Sequence, residues 1–117
     1  MSGRRSQVKG ANWEREVAHM LEDVWPEARR SGHLQRARGS DDPDVLGVPF
    51  HVECKVGKRP LLRAALAQAA TGAEVTGKAP VAVVKDNGAG QRPAQTYALM
   101  KLDDWLLLVK EARRHKG

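Results

Sequence analysis

The chain has 117 residues, room for one domain, and carries 20 Lys and Arg against 14 Asp and Glu, a net charge of +6. Its single cysteine, Cys54, excludes an internal disulfide and a CxxC zinc site, and no run approaches the ~18 apolar residues of a membrane span. The opening MSGRRSQVKG lacks the apolar segment of a secretory signal, so the expectation is a cytoplasmic protein, or a phage protein acting in its host's cytoplasm, with a polyanionic partner.

Residues 1–7 are polar and basic and read as a loose arm. Trp13, Val17, Met20, Leu21 and Val24 recur at spacings of 3 and 4, which predicts a helix over 8–25, stopped by Pro26. A short strand is expected near 33–37, and Gly39 to Asp44 reads as a loop entering a strand. Strands are predicted over 44–47 and 50–56 around a turn at 47–49. In the second, Phe50, Val52, Cys54 and Val56 alternate with His51, Glu53 and Lys55, so the two sets fall on opposite faces. Leu62, Leu66 and Ala69 mark a helix over 61–70, after which Gly72 and Gly77 loosen the chain. Strands follow at 81–85 and 95–100, separated by an Asp-Asn-Gly turn at 86–88. Asp103 is positioned to cap a last helix to about residue 114, with Leu102, Trp105, Leu106, Val109 and Ala112 as its buried stripe. The expected fold is α/β, a central mixed sheet flanked by helices in the order αβββαβ plus a C-terminal helix.

Chemistry is concentrated in Pro43-Asp44 and, eight residues on, Glu53-Cys54-Lys55. In a hairpin, residues equidistant from the turn face each other, so a turn centred near 48–49 sets Asp44 across from Glu53. Opposed residues have Cβ atoms about 5 Å apart. Carboxylates that close repel unless a cation joins them. Magnesium suits the place, because it takes oxygen ligands and needs only one or two protein carboxylates beside substrate phosphate. The Cys54 backbone carbonyl offers one more oxygen. Lys55, on the face of Glu53, is placed to contact a phosphate or orient water, which completes a phosphodiester-hydrolysis site. The plain alternative is a surface strand with an ordinary Glu53–Lys55 ion pair.

These residues resemble the PD-(D/E)xK signature of restriction-endonuclease-like nucleases. The stretch Lys9-Gly10-Ala11-Asn12-Trp13-Glu14-Arg15-Glu16 resembles the KGxxxERE opening of archaeal-type Holliday-junction resolvases. Gly39-Ser40 is similar to that family's Gly-Ser before the first catalytic aspartate, and Ala79-Pro80-Val81-Ala82-Val83-Val84-Lys85 to its later core strand. The resemblance implies a restriction-endonuclease-like core spanning one nuclease domain. Glu14 would join Asp44 and Glu53 at a magnesium or manganese ion, and Ser40 and Lys55 would complete the catalytic set. It further implies a homodimer making paired cuts in four-way DNA junctions. The tight 47–49 turn departs from archaeal members and points to a bacterial or phage relative.

Basic residues gather in sequence around the site: Arg4, Arg5, Lys9 and Arg15 near Glu14; Arg29, Arg30, Arg36 and Arg38 before Ser40; Lys58, Arg59 and Arg63 after Lys55. They are the expected DNA contacts. Basic residues over 110–116 complement a helix C-terminus instead. His51 is read as a solvent histidine, Cys54 as a small core residue, Trp13 and Trp105 as core or dimer contacts, and Gln68 as a residue facing the site from the second helix. Gly88-Ala89-Gly90 lacks the Lys-Ser/Thr of a phosphate loop, so no nucleotide cofactor is expected. Two readings compete: a flap, nick or single-strand nuclease of the same fold, and a basic DNA-binding protein without chemistry.

Overall fold

A computed structural model describes residues 2–32 and 42–116, with side chains over 7–32 and 42–115. The elements are α1 (Ser2–Glu22), β1 (Arg29–Arg30), β2 (Val45–Leu46), β3 (Phe50–Gly57), α2 (Leu62–Thr76), β4 (Ala79–Asp86), β5 (Gln95–Met100) and α3 (Leu102–Lys116). This is an α/β fold. Its five strands form one mixed sheet in the order β1-β2-β3-β4-β5. All neighbours are antiparallel except β3 and β4, which run parallel and are joined through α2.

The two faces of the sheet are covered by different helices. Trp13, Val17 and Ala18 of α1 pack with Val45, Val48, Val52 and Cys54, and Val56 and Val83 join them. The Trp13 indole N–H donates to the Val83 carbonyl at 3.0 Å, tying α1 across the middle of the sheet. On the other face, Leu62, Ala65 and Leu66 of α2 pack with Ala82, Val84 and Leu99. Alanine and glycine at 65, 69, 72 and 73 form the buried side of α2, and their small size lets it lie close to the sheet. Gly77 ends α2 in the left-handed conformation, φ 73°, with its N–H on the Ala73 carbonyl at 2.8 Å.

Several expectations need correction. Residues 2–7 are not a loose arm but the first turns of α1. Met20 and Val24 are exposed, and Ala18, which lies off the expected stripe, is buried. A first strand exists at 29–30; the expected one at 33–37 lies outside the described residues. Gly72 does not loosen the chain but sits buried inside α2, which runs six residues past the expected end. Asp103 does not cap α3; it lies in its first turn. The stripe expected to be buried on α3 is exposed, and among the described residues no strand or helix packs extensively along this helix.

Candidate functional site

The site forms where α1, β2 and β3 meet. Val45 pairs with Val52, so the next residues outward, Asp44 and Glu53, stand opposite each other. The turn that sets this register needs Gly47, whose φ is 81° and beside which a Cβ would strike the Glu27 carbonyl. Asp44 is 2% exposed and Glu53 4%. Asp44 Oδ2 accepts the Cys54 N–H at 2.7 Å, and the Asp44 N–H donates to the Val52 carbonyl at 2.8 Å. The Asp44 carbonyl accepts the Ser31 N–H at 3.0 Å. The first carboxylate is therefore oriented by one backbone donor, while two further hydrogen bonds fix the main chain of Asp44.

Burial, then the charge of Asp44 and a hydrogen bond to it that only the protonated acid can donate, push Glu53 up to about 9; Lys55 opposes this. Glu14 joins from α1. Burial first, and then Asp44, raise its pKa against the pull of Arg30 and Arg15. Glu14 Oε1 accepts the Arg30 Nε–H at 2.8 Å, with both side chains half-buried or better. The arrangement is a knot of three acids whose mutual repulsion is relieved by one proton and one guanidinium. Sequence reasoning assigned Arg30 to DNA; in the structure it holds Glu14.

Lys55 is exposed beside Glu53 and lines a cleft of about 360 Å³ with Lys58, Leu61 and Gln68. Gln68 of α2 shares this cleft with Lys55, but none of Glu14, Asp44 and Glu53 lines it. Lys9, Arg15, Arg29, Lys58, Arg59 and Arg63 are exposed. Arg15 donates to Asn12 Oδ1 at 3.0 Å and Arg29 to the Glu27 carbonyl at 3.2 Å. Arg4 and Arg5 lie on α1 without described side chains, and Ser40, Arg36 and Arg38 lie outside the described residues. His51, read as a solvent histidine, is instead 1% exposed, with Nδ1 3.2 Å from Thr76 Oγ1 under α2. Cys54 is buried, as expected, and burial followed by the charges of Asp44, Glu14 and Glu53 pushes its thiol far up, so it is no nucleophile.

Whether a metal fits can be judged from the donors. Among the described residues no three His, Cys, Asp or Glu side chains enclose a cation as they stand. Glu14 is taken up by Arg30. Asp44 and Glu53 nevertheless offer buried carboxylate oxygens, the ligands of a hard divalent ion. Near them, Ser31 Oγ and Asp42 Oδ2 are buried with no hydrogen-bond partner among the described residues. The donor chemistry fits magnesium or manganese, and Glu14, which meets Arg30 through Oε1, carries a second carboxylate oxygen as a further donor.

Arg30 and His51 were missed as structural parts of the site and its strand because both depend on contacts distant in sequence. No family model matches the chain, and no characterised protein or solved structure is significantly similar to it. No helix among the described residues is long and apolar enough to cross a membrane.

Proposed function

We propose that this chain is a metal-dependent DNA endonuclease of the restriction-endonuclease-like kind, acting on branched DNA and most directly on four-way junctions. The observation that carries the reading is the buried, opposed pair Asp44 and Glu53, with Glu14 beside it and Lys55 on the same face of β3. A structural surface pair would not be sunk to a few per cent exposure at the cost of ionisation.

Asp44, Glu53 and the Cys54 carbonyl would hold a magnesium ion, with manganese as a substitute and Glu14 as a further ligand. When bound, such an ion acidifies water and neutralises charge on the scissile phosphodiester. The Cys54 N–H keeps Asp44 oriented toward the pair. Lys55 stands exposed at the mouth, where its ammonium can pair with a phosphate oxygen. Arg30 neutralises Glu14 in the resting chain. The exposed cations on α1 and after β3 supply the sequence-independent attraction to DNA. A homodimer, with one such site for each of two strands, belongs to the same proposal.

The test is cleavage of a labelled four-way junction beside duplex, nicked, flap and single-stranded controls, with magnesium or EDTA. Wild type should cut the junction in metal alone. Asp44→Asn and Glu53→Gln should each lose about 100-fold or more, the scale of removing one electrostatic contact to a transition state, while still binding DNA. Metal-dependent cutting confined to flaps or single strands would keep the site and discard the junction. Salt-sensitive binding without cutting under any metal would reduce the chain to a binding protein.

A further inference from the structure

The connection that follows β4 is built against the one that follows β3. Gly57 and Asp86 are the last paired residues of the two strands, and the Asn87 N–H donates to the Gly57 carbonyl at 2.8 Å. The chain then folds back. Gly88 has a φ of 77°, and a Cβ on it would strike the Arg92 carbonyl. The Arg92 N–H returns to the Ala89 carbonyl at 2.9 Å. This fold-back sets the Arg92 guanidinium on Asp86 Oδ2. Asp86 Oδ1 accepts the Gly88 N–H at 2.9 Å and the Arg59 N–H at 3.4 Å. The bond from Arg92, followed by that from Gly88, holds the Asp86 carboxyl below its ordinary range, so it is ionised at neutral pH.

Arg59 is where this arrangement reaches the cations beside Lys55. Among the described residues it is the only one other than glycine with a positive φ, 49°. Glycine takes this conformation freely, whereas a side chain is disfavoured in it. Backbone in so sparsely populated a region persists when its surroundings enforce it, and such residues gather at ligand-binding segments. Here Asp86 offers a fixed acceptor to the Arg59 N–H from 27 residues away. Lys58 precedes Arg59 and lines the cleft that holds Lys55, and both Lys58 and Arg59 are exposed. The direction in which the two cations leave the surface follows from this turn.

We infer that Asp86, locked by Arg92, is a positioning residue that holds the Lys58–Arg59 turn in the form that presents both cations to a DNA backbone passing Lys55. Asp86 is buried, and it acts through the Arg59 N–H. The inference rests on the DNA reading given above but needs no cutting chemistry. It also opposes simple charge in sign. Removing an acid from a basic DNA-binding protein by itself favours binding, whereas loss of this carboxylate weakens it.

Fluorescence anisotropy of the full chain on a labelled four-way junction in EDTA, over a salt series, tests it. Asp86→Ala should bind several-fold more weakly than wild type. Its slope of log K against log salt should be shallower by up to about 1.8, the share of two phosphate contacts. Lys58→Gln with Arg59→Gln should show a similar loss. Adding Asp86→Ala to that pair should weaken binding no further, because residues that act through one another are not additive. Arg92→Gln, which leaves the acceptor in place but unlocks it, should weaken binding in the wild-type background more than in the Lys58→Gln, Arg59→Gln background; it carries the test if Asp86→Ala unfolds, as circular dichroism would show. Unchanged or tighter binding by Asp86→Ala, or a loss that persists undiminished without Lys58 and Arg59, would overturn the inference and leave the DNA reading standing. A wild type without salt-dependent binding would remove both. Binding that follows these expectations in a chain that never cuts would sustain the inference and discard the chemistry.

Discussion

Glu53 is held where burial and Asp44 both oppose its ionisation, and its pKa rises from 4.5 to about 9. The unfolded chain loses this proton near 4.5, whereas the folded chain keeps it until about pH 9. Between those values the folded state binds more protons, so stability falls as pH rises. Below the window both states are protonated and the group contributes nothing. In EDTA, the Tm of wild type should therefore decline from pH 5 to pH 9 more steeply than that of Glu53→Gln, and the variant should be the more stable of the two at the alkaline end. Parallel slopes would show that Glu53 ionises normally. The opposition of Asp44 and Glu53 was legible in the sequence because period-two alternation and a short turn are local properties. Glu14 was reached only through the resemblance of its helix to a family motif. The Arg30–Glu14 bond spans 16 residues, and the burial of His51 depends on Thr76, 25 residues on. No pattern along the chain carries either.

Gly47 sets the register of the β2–β3 turn, and with it the pairing of the two acids. Its φ of 81° disfavours any side chain, and a methyl there would collide with the Glu27 carbonyl. Gly47→Ala should cost about 1–3 kcal/mol, a loss of Tm on the order of 10 °C, with cleavage reduced further because the carboxylates move apart. Gly77→Ala, with open space around it, should cost less. Equal losses in thermal unfolding would mean that the turn tolerates the collision. Elements with their own periodicity were legible: β5 occupies the predicted residues, and β3 differs by one residue at its end. Errors arose where packing overrules local preference. Gly72 is a poor helix former, but it is kept in α2 by the close approach of that helix to the sheet. The stripe on α3 has the period of a buried face yet stands exposed, and periodicity alone does not say whether a face is covered.

At the scale of the molecule, a net charge of +6 is spread over a surface on which Lys58, Arg59 and Arg63 stand exposed just beyond Lys55. If these cations track a DNA backbone, affinity falls with salt, and each phosphate contact contributes about 0.9 to the slope of log K against log salt on duplex arms. Replacing all three by Gln should lower the slope by up to about 2.7 and weaken binding to every branch geometry alike, as fluorescence anisotropy over a salt series would read. An unchanged slope would move the DNA path to another face. The net charge was plain in the composition; which cations share a face with the acids was not, since that depends on how α1 and the strand after it fold against β3.

Burial runs unbroken through His51, Val52, Glu53 and Cys54, because α1 closes one side of β3 and α2 the other. By contrast, β5 lies at the sheet edge, and the residues of α3 from 102 to 115 are all exposed except Asp104, which is partly so. Local opening begins where buried contacts are fewest and reaches the doubly covered strand last. Fluctuations that fray β5 and α3 therefore need not disturb the acids. The edges can breathe, exchange partners or be reshaped by substitution while Asp44 and Glu53 stay assembled until the chain unfolds as a whole.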